Sequence, residues 1–214
     1  MDKKYLPVNL DITQFKSLVI GGGKIAYRKA LTLLKYGSSP AILSPEVIEP
    51  MEELIKKHNL IFINRKYQGK DIENFKLVFV ATGDPEADKL IKEDCDEANV
   101  LVNVADVPEL CNFIMPATVK RGDLTLAIGS GGKAPFYVKE IRKRLQSEFP
   151  KQYEVTIQLA GEFREYVMQR KDLSQKARNE LFDMFNSENW IEIIKTEGLE
   201  KARTKIKDIA EIIK

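Results

Sequence analysis

The chain has 214 residues, of which 43% are hydrophobic and 31% charged, with 34 Lys and Arg against 32 Asp and Glu. This composition is typical of a globular protein with a real core, and it excludes collagen-like, low-complexity and globally disordered chains. The near-neutral charge balance provides no strong field that would steer a polyanion, so we expect no nucleic-acid partner.

The cysteine and histidine content also limits the function classes. Cys95 and Cys111 are the two cysteines, and His58, in the polar segment KKHN, is the one histidine and is expected at the surface. This set cannot build a disulfide scaffold or a zinc cage, so we expect a reducing, cytoplasmic compartment and no metal ligand. The N-terminus has no apolar core of a signal peptide, and no apolar run approaches the roughly 20 residues that span a bilayer, so no membrane is expected.

The first half of the chain alternates short apolar runs with amphipathic segments. Strands are predicted at 17–21, 41–44, 60–64, 76–82 and 100–104, and residues 5–12 can add a short edge strand. Helices are predicted at 24–36, from Pro45 to about Lys57, and at 84–98, where Asp84 is the cap and Pro85 the first residue. This alternation predicts an α/β fold with a parallel sheet covered on both faces.

The pattern changes near residue 112. Two strands turn at Arg121-Gly122-Asp123, and a glycine loop and a helix over 134–149 follow. Helical patterning then continues from 151 to the end of the sequence. We therefore predict an α/β domain at 1–112, a small central α+β module at 113–149 and a C-terminal helical domain at 150–214.

The segment GGGKIA (21–26) fits G-x-G-x-x-A, directly after a predicted strand and at the start of a helix. Gly21 allows the tight turn, Gly23 lets the backbone approach a pyrophosphate, and Ala26 lets the helix pack close to the sheet. The phosphates would then lie at the positive end of the helix. The context predicts a Rossmann-like dinucleotide-binding domain, and an ordinary strand-to-helix turn is the alternative.

Where this fingerprint has an acid after the second strand, the sequence has Ser44, Pro45 and Glu46. Glu46 can reach a ribose, or it can simply decorate the start of a helix. No Arg stands there to pair with a 2′-phosphate, which favours NAD over NADP.

Polar residues follow the fourth and fifth predicted strands. Thr82, Gly83 and Asp84 end the fourth, and Asn103 and Asp106 end the fifth. Ligands of such sheets bind beyond the carboxyl ends of the strands, so these ends should face a nicotinamide. Asp106 precedes Val107-Pro108, and the residues alone favour a turn-forming role for it.

Without a histidine nearby, any proton transfer near pH 7 must come from a carboxylate, Tyr, Lys, Cys or water. That requirement favours Asp106 as a candidate for proton transfer. Cys111 is close in sequence, but we expect a buried thiol.

A second glycine segment, GSGG (129–132), precedes the helix that begins near Pro135. Ser130 and Gly131 lie where backbone donors could hold a carboxylate, and a plain flexible loop is the alternative. Lys139, Arg142 and Lys143 share the polar face of the following helix, either as a solvated face or as a carboxylate-binding patch.

The segments SLVIGGGKIAYRKALTLLKYG, LVFVATGD and LVNVADVPELCNFIMPATVKRGDLTLAIGSGG, in this order and spacing, resemble the siroheme-synthase dehydrogenase/ferrochelatase family over roughly residues 5–148. The resemblance implies a dehydrogenase that converts precorrin-2 to sirohydrochlorin with NAD⁺. Many members of the family also insert Fe²⁺, which would bind transiently. The resemblance also implies a homodimer built by the central module.

The resemblance also implies roles for individual residues. The essential aspartate of the family matches Asp106, and its serine in the second glycine loop matches Ser130. The substrate carries acetate and propionate groups, which suit helix-end amides and the cationic cluster 139–144. The candidates are thus Asp106 for catalysis, Ser130, Gly131, Asn103, Lys139 and Arg142 for substrate, and Gly21, Gly22, Gly23, Lys24, Ile25, Ser44, Pro45, Glu46, Thr82 and Gly83 for NAD.

Two alternatives stay open. One is a dehydrogenase without chelatase activity, and the other is a non-catalytic NAD-sensing domain, which would need no base at Asp106. Many bacterial relatives carry a fused methyltransferase module that this sequence lacks, so we do not expect methylation of uroporphyrinogen.

Overall fold

The computed structural model describes residues 3–213. The chain divides into two compact units, Met1–Met115 and Pro116–Lys214. The further boundary expected near residue 149 stays a prediction, and positions 1, 2 and 214 of the predicted domains lie outside the described residues.

The first unit contains a five-stranded parallel sheet with the order β3-β2-β1-β4-β5. Its strands are β1 Ser17–Ile20, β2 Ala41–Leu43, β3 Phe62–Ile63, β4 Leu77–Val80 and β5 Leu101–Val104. The predicted Rossmann-like sheet is confirmed. Because the strand order reverses between β1 and β4, a crevice opens beyond their carboxyl ends, where such sheets bind ligands.

Both faces of this sheet are covered, as predicted. The helices are α1 Lys24–Lys35, α2 Glu49–His58 and α3 Pro85–Glu97. Successive side chains of a strand point to opposite faces. Val19 therefore packs in one core with α1 and α2, while its neighbour Leu18 packs in a second core with α3.

The start of α3 follows the prediction. Asp84 caps the helix, since its carboxylate accepts hydrogen bonds from the backbone N–H groups of Glu86 at 3.1 Å and Ala87 at 3.3 Å. Pro85 is the first helical residue, where its missing N–H costs nothing.

The predicted start of α2 at Pro45 is wrong, because the helix begins at Glu49. The intervening residues are held outside the helix by contacts with the glycine turn and with each other. The N–H of Ile48 donates to the carbonyl of Gly22 at 3.0 Å, and the Ser44 hydroxyl donates to the carbonyl of Glu46 at 2.6 Å.

The edge strand considered at 5–12 is also absent from the described structure. Its alternating apolar residues have no partner surface, because Leu6 and Val8 are 81% and 61% exposed.

The second unit begins with the predicted hairpin, formed by the antiparallel strands β6 Ala117–Arg121 and β7 Leu124–Ile128. Five helices follow: α4 Pro135–Glu148, α5 Gln152–Gln169, α6 Gln175–Asn186, α7 Trp190–Thr196 and α8 Leu199–Glu211. The last four helices share a core in which the ring of Phe185 stacks on Phe163 and Trp190 at 5.0 and 4.6 Å.

Candidate cofactor and active site

A cavity of about 920 Å³ opens in the first unit beyond the carboxyl ends of β1, β2, β4 and β5. It brings together the glycine turn, the residues after β2 and β4, and the turn after β5. Every predicted cofactor residue except Glu46 lines it, and so does the predicted catalytic residue: Gly21, Gly22, Gly23, Lys24, Ile25, Ser44, Pro45, Thr82, Gly83 and Asp106.

Neighbouring backbone atoms of the protein require glycine at the first two positions of the turn. Gly21 has a φ of +125°, and a Cβ built on it would lie 2.2 Å from the carbonyl oxygen of Ala81. A Cβ on Gly22 would lie 1.8 Å from the carbonyl oxygen of Glu46. Any side chain at either position would therefore collide with backbone.

Gly23 differs, because no described atom requires a glycine there. Its φ of −86° is available to any residue, and a Cβ would meet nothing within 4 Å. Gly23 is the N-cap of α1, whose first turn has no acidic residue and no side-chain cap. An open cradle at a helix N-terminus fits the pyrophosphate of a dinucleotide.

Ala26 fills the remaining position of the fingerprint. It is fully buried between α1 and the sheet, as the close helix packing of the motif requires. The residues present thus fit an NAD(P) cofactor.

The cavity also contains two residues that sequence reasoning missed. Lys66 and Tyr67 line it from the loop after β3. The Tyr67 hydroxyl donates to Asp94 Oδ2 at 2.5 Å, and burial followed by this bond raises the pKa of Tyr67 above its usual range. No motif marks this loop, so only the folded chain brings the two residues to the cavity.

Glu46 does not line the cavity. Its backbone carbonyl accepts the Ser44 hydroxyl and packs on Gly22. A contact between the Glu46 side chain and the ribose stays a prediction.

Asp88 is a second residue that sequence reasoning missed. It lines the cavity although it is only 7% exposed, and its carboxylate accepts a hydrogen bond from the Thr82 hydroxyl at 2.5 Å. No ion pair to Asp88 exists within residues 3–213. A buried carboxylate normally has several hydrogen-bond or ion-pair partners. Asp88 can therefore accept further hydrogen bonds from a bound molecule.

Asp106 lies in the turn after β5 with a φ of +60°, in the left-handed region that Asp tolerates better than most residues. The backbone conformation agrees with a turn-forming role. The Asp106 carboxylate, however, makes no hydrogen bond to any residue in the range 3–213. The turn is therefore not stabilised by a hydrogen bond from this side chain. The exposed carboxylate borders the cavity and is open to a ligand.

Asn103 is only 7% exposed and does not line the cavity. Its amide oxygen accepts from Lys29 Nζ at 3.0 Å, and its amide nitrogen donates to the carbonyl of Phe113 at 3.2 Å. A contact with substrate stays a prediction. Cys111, beside it, is a buried free thiol, as expected, and burial raises the pKa of that thiol.

The predicted substrate residues of the second unit lie on the glycine loop and on α4. Ser130 Oγ accepts from the N–H of Ala134 at 3.1 Å, and Gly131 has a φ of +61°. Lys139 is exposed and Arg142 half-buried. Their contacts with a tetrapyrrole stay predictions.

Within residues 3–213, no group of three or more His, Cys, Asp or Glu side chains is arranged to hold a metal ion. None of the helices in that range combines the length and the apolar character needed to cross a bilayer.

Comparison with known proteins gives three findings. A family model described as "Putative NAD(P)-binding" matches residues 8–117. Siroheme synthases from Vesicomyosocius okutanii subsp. Calyptogena okutanii and Ruthia magnifica subsp. Calyptogena magnifica are 38% and 37% identical over 76% and 78% of this chain. A solved structure, "SirC, precorrin-2 dehydrogenase", has a TM-score of 0.75 and 30% identity, and the match covers 96% of this chain and 98% of that one.

The alignments cover 35% of each siroheme synthase, so the chain spans about a third of the length of these curated relatives. The Rossmann-like fold and the resemblance described from the sequence are confirmed, and NAD is confirmed as the cofactor of this nucleotide-binding domain.

Proposed function

We infer, since the chain belongs to the family of the precorrin-2 dehydrogenase SirC and carries an NAD(P)-binding domain, that it oxidises precorrin-2 to sirohydrochlorin. The observation that carries this proposal is the single cavity that joins the glycine turn to Asp106. A cofactor cradle and a carboxylate without a hydrogen bond to residues 3–213 then border the same space.

The oxidation removes a hydride and a proton from the substrate. NAD⁺, when bound, accepts the hydride with its two electrons. Asp106 accepts the proton, since its carboxylate is exposed at the cavity and His58 is the only histidine of the chain. The backbone at Gly23 and the first turn of α1 hold the pyrophosphate, and Lys24, Ile25 and Gly83 line its surroundings.

We propose that NAD⁺ is preferred over NADP⁺. The residues after β2 that line the cavity, Ser44 and Pro45, are uncharged and offer no partner to a 2′-phosphate. Lys66 lines the same cavity from the loop after β3, and pairing of this cation with a 2′-phosphate would weaken the preference. Equal catalytic efficiency with both cofactors would contradict the preference.

The substrate side of the proposal involves the second unit and a second copy of the chain. Ser130, Gly131, Lys139 and Arg142 would receive the carboxylates of the tetrapyrrole. A homodimer formed by the central module is supported by Phe136, which is 78% exposed at the start of α4, since a large exposed apolar residue favours a partner surface. A fully active monomer at micromolar concentration in sedimentation would contradict this part.

Insertion of Fe²⁺ into sirohydrochlorin is a further part of the proposal, with the metal as substrate. Two pyrrole protons must leave when iron enters the macrocycle, and Asp106 is an exposed carboxylate at the cavity that can receive them. An enzyme that oxidises precorrin-2 and leaves the rate of iron insertion unchanged would be a dehydrogenase alone.

We place the reaction in the cytoplasm. Cys95 and Cys111 are both free and buried, and a chain with two unpaired thiols suits a reducing compartment.

The experiment that tests the proposal is turnover. Purified protein is incubated with precorrin-2 and NAD⁺, and then with Fe²⁺, while the absorption spectrum is followed. The expected result is NADH formation with the spectrum of sirohydrochlorin, followed by that of the iron product. NAD⁺ binding without oxidation would instead indicate a non-catalytic NAD-sensing domain.

A further inference from the structure

The Asp106 loop, residues 105–111, is held from outside by a lysine at the other end of the first unit. Lys3 Nζ donates to the backbone carbonyls of Pro108 at 3.2 Å, Glu109 at 2.7 Å and Cys111 at 2.7 Å. An ammonium has three N–H donors, so each of them can meet one carbonyl of the loop. Within residues 3–213, no carboxylate forms an ion pair with Lys3 that would compete for these donors.

The three carbonyls belong to the end of a single 3₁₀ turn, Pro108–Leu110. Carbonyls at the end of a helical turn lack partners within that turn, and a positive charge is favourable there. In the described part of the chain, no backbone N–H donates to the carbonyls of Glu109 or Cys111. Lys3 therefore supplies a fixed partner to a turn that its own backbone does not complete.

The inner side of the Asp106 loop is closed by the thiol of Cys111. Its Sγ accepts from the N–H of Val104 at 3.2 Å, and its S–H can donate to the carbonyl of Val104 at 3.2 Å or of Val107 at 3.4 Å. Val107 directly follows Asp106, and Val104 is the last residue of β5. Cys111 thus ties the backbone on both sides of Asp106, and Lys3 in turn holds the carbonyl of Cys111.

The position of the Asp106 carboxylate depends on this backbone. The side chain makes no hydrogen bond within residues 3–213 that would orient it, and the residue has a φ of +60°. A group that transfers a proton must stand within about 3 Å of its partner atom, and a misplacement of about 1 Å can cost about 100-fold in rate. Contacts that fix the loop therefore fix the place of the proposed base.

We propose that Lys3 is a positioning residue, which clamps the Asp106 loop so that the Asp106 carboxylate is held at the cofactor cavity. This inference rests on the proposed role of Asp106 as the base. Lys3 does not line the cavity, so it acts through the loop backbone and not through the cofactor. Loss of its ammonium should slow proton transfer and leave NAD⁺ binding unchanged.

Steady-state kinetics with precorrin-2 test the proposal. Lys3→Met removes the three donors, and Lys3→Arg keeps a charge and several donors. Lys4→Met is the matched control, because Lys4 is the next residue, is also exposed and makes no hydrogen bond to the described residues. Both lysines precede the first strand and are exposed, so these variants should fold.

We expect kcat of Lys3→Met to fall about tenfold, with KM for precorrin-2 and the NAD⁺ affinity from calorimetry unchanged. Lys3→Arg should recover most of kcat, and Lys4→Met should match the wild type. An unchanged kcat in Lys3→Met would overturn the proposal. A loss of kcat accompanied by an equal loss of NAD⁺ affinity, or shared by Lys4→Met, would show a general structural effect and would also overturn it.

A second measurement needs no turnover. Amide hydrogen exchange, followed by mass spectrometry, reports local opening of the loop. Peptides covering residues 105–111 should exchange faster in Lys3→Met than in the wild type or in Lys4→Met, while peptides from β1 and α1 should not change. Unchanged exchange at 105–111 would overturn the proposal. An inactive wild type would contradict the proposed dehydrogenase, and the exchange rates would still decide whether Lys3 clamps the loop.

Discussion

The two glycine-rich segments of the chain, 21–23 and 129–132, have similar compositions but different physical reasons for their glycines. In the first, a Cβ at Gly21 or Gly22 would collide with backbone oxygens at 2.2 and 1.8 Å. In the second, a Cβ at Gly129, Gly131 or Gly132 would meet nothing within 4 Å. Only the backbone conformation restricts the second segment, at φ values of +61° and +83° for Gly131 and Gly132.

The difference distinguishes a turn whose glycines are required by close backbone contacts from a loop whose glycines have no close neighbours. The first segment is held between β2, β4 and α1 and lines a cavity of about 920 Å³. The second is followed by α4, where the Ser130 hydroxyl oxygen accepts a backbone N–H. Substitutions should therefore have larger and more specific effects in the first segment.

The largest effect is expected at Gly23. Gly23→Val should leave the protein folded, because no described atom opposes its Cβ, while its methyl groups occupy the space proposed for the pyrophosphate. We expect NAD⁺ affinity to fall at least about 1,000-fold, or about 4 kcal/mol, in titration calorimetry. Unchanged affinity in a folded variant would remove Gly23 from the cofactor site.

Gly22→Ala should act on stability instead. Its Cβ would lie 1.8 Å from the carbonyl oxygen of Glu46, so the backbone must move. We expect the free energy of unfolding to fall by about 2–3 kcal/mol in chemical denaturation. Gly23→Val is the matched control, and equal stability losses in both variants would contradict the distinction between the two glycines.

A smaller effect on cofactor binding is expected at Asp88. Asp88→Asn keeps the acceptor for Thr82 but removes the charge that faces the cavity. Loss of one charge-assisted hydrogen bond should weaken NAD⁺ binding by about tenfold. Glu93→Gln, an exposed change on the same helix, is the control, and the same affinity in both variants would show that Asp88 does not contact the cofactor.

The smallest effect is expected in the second loop. Gly131→Ala should lower the free energy of unfolding by about 1 kcal/mol, the cost of a left-handed backbone for a residue with a Cβ. Gly129→Ala has no positive φ and no close contact, so its change should stay within about 0.5 kcal/mol. A loss at Gly131 as large as that at Gly22 would show that the two segments are equally constrained.

Much of the fold follows from local sequence rules. The apolar runs predict all five strands of the parallel sheet, and Asp84-Pro85 predicts the start of α3 because both capping effects act within one turn. The start of α2 could not be predicted, since Pro45 to Ile48 are held by Gly22 and Ser44, whose contacts exist only in the folded chain.

The same distinction applies to the site. The fingerprint identifies the glycine turn because its spacing is local. Asp88 and Tyr67 carry no such signal, because Asp88 lies within a helix and Tyr67 in a loop without a motif. Their burial and partners arise from the packing of distant segments, which a pattern along one segment does not contain.

The central claim is that the cofactor cavity and Asp106 form one dehydrogenation site, and Asp106→Asn tests it most directly. Asn keeps the shape and tolerates the left-handed backbone, but it cannot accept the proton. We predict a folded variant with unchanged NAD⁺ affinity and a kcat for precorrin-2 oxidation lowered at least about 100-fold. Normal oxidation by that variant would contradict the account and return Asp106 to a turn-forming role.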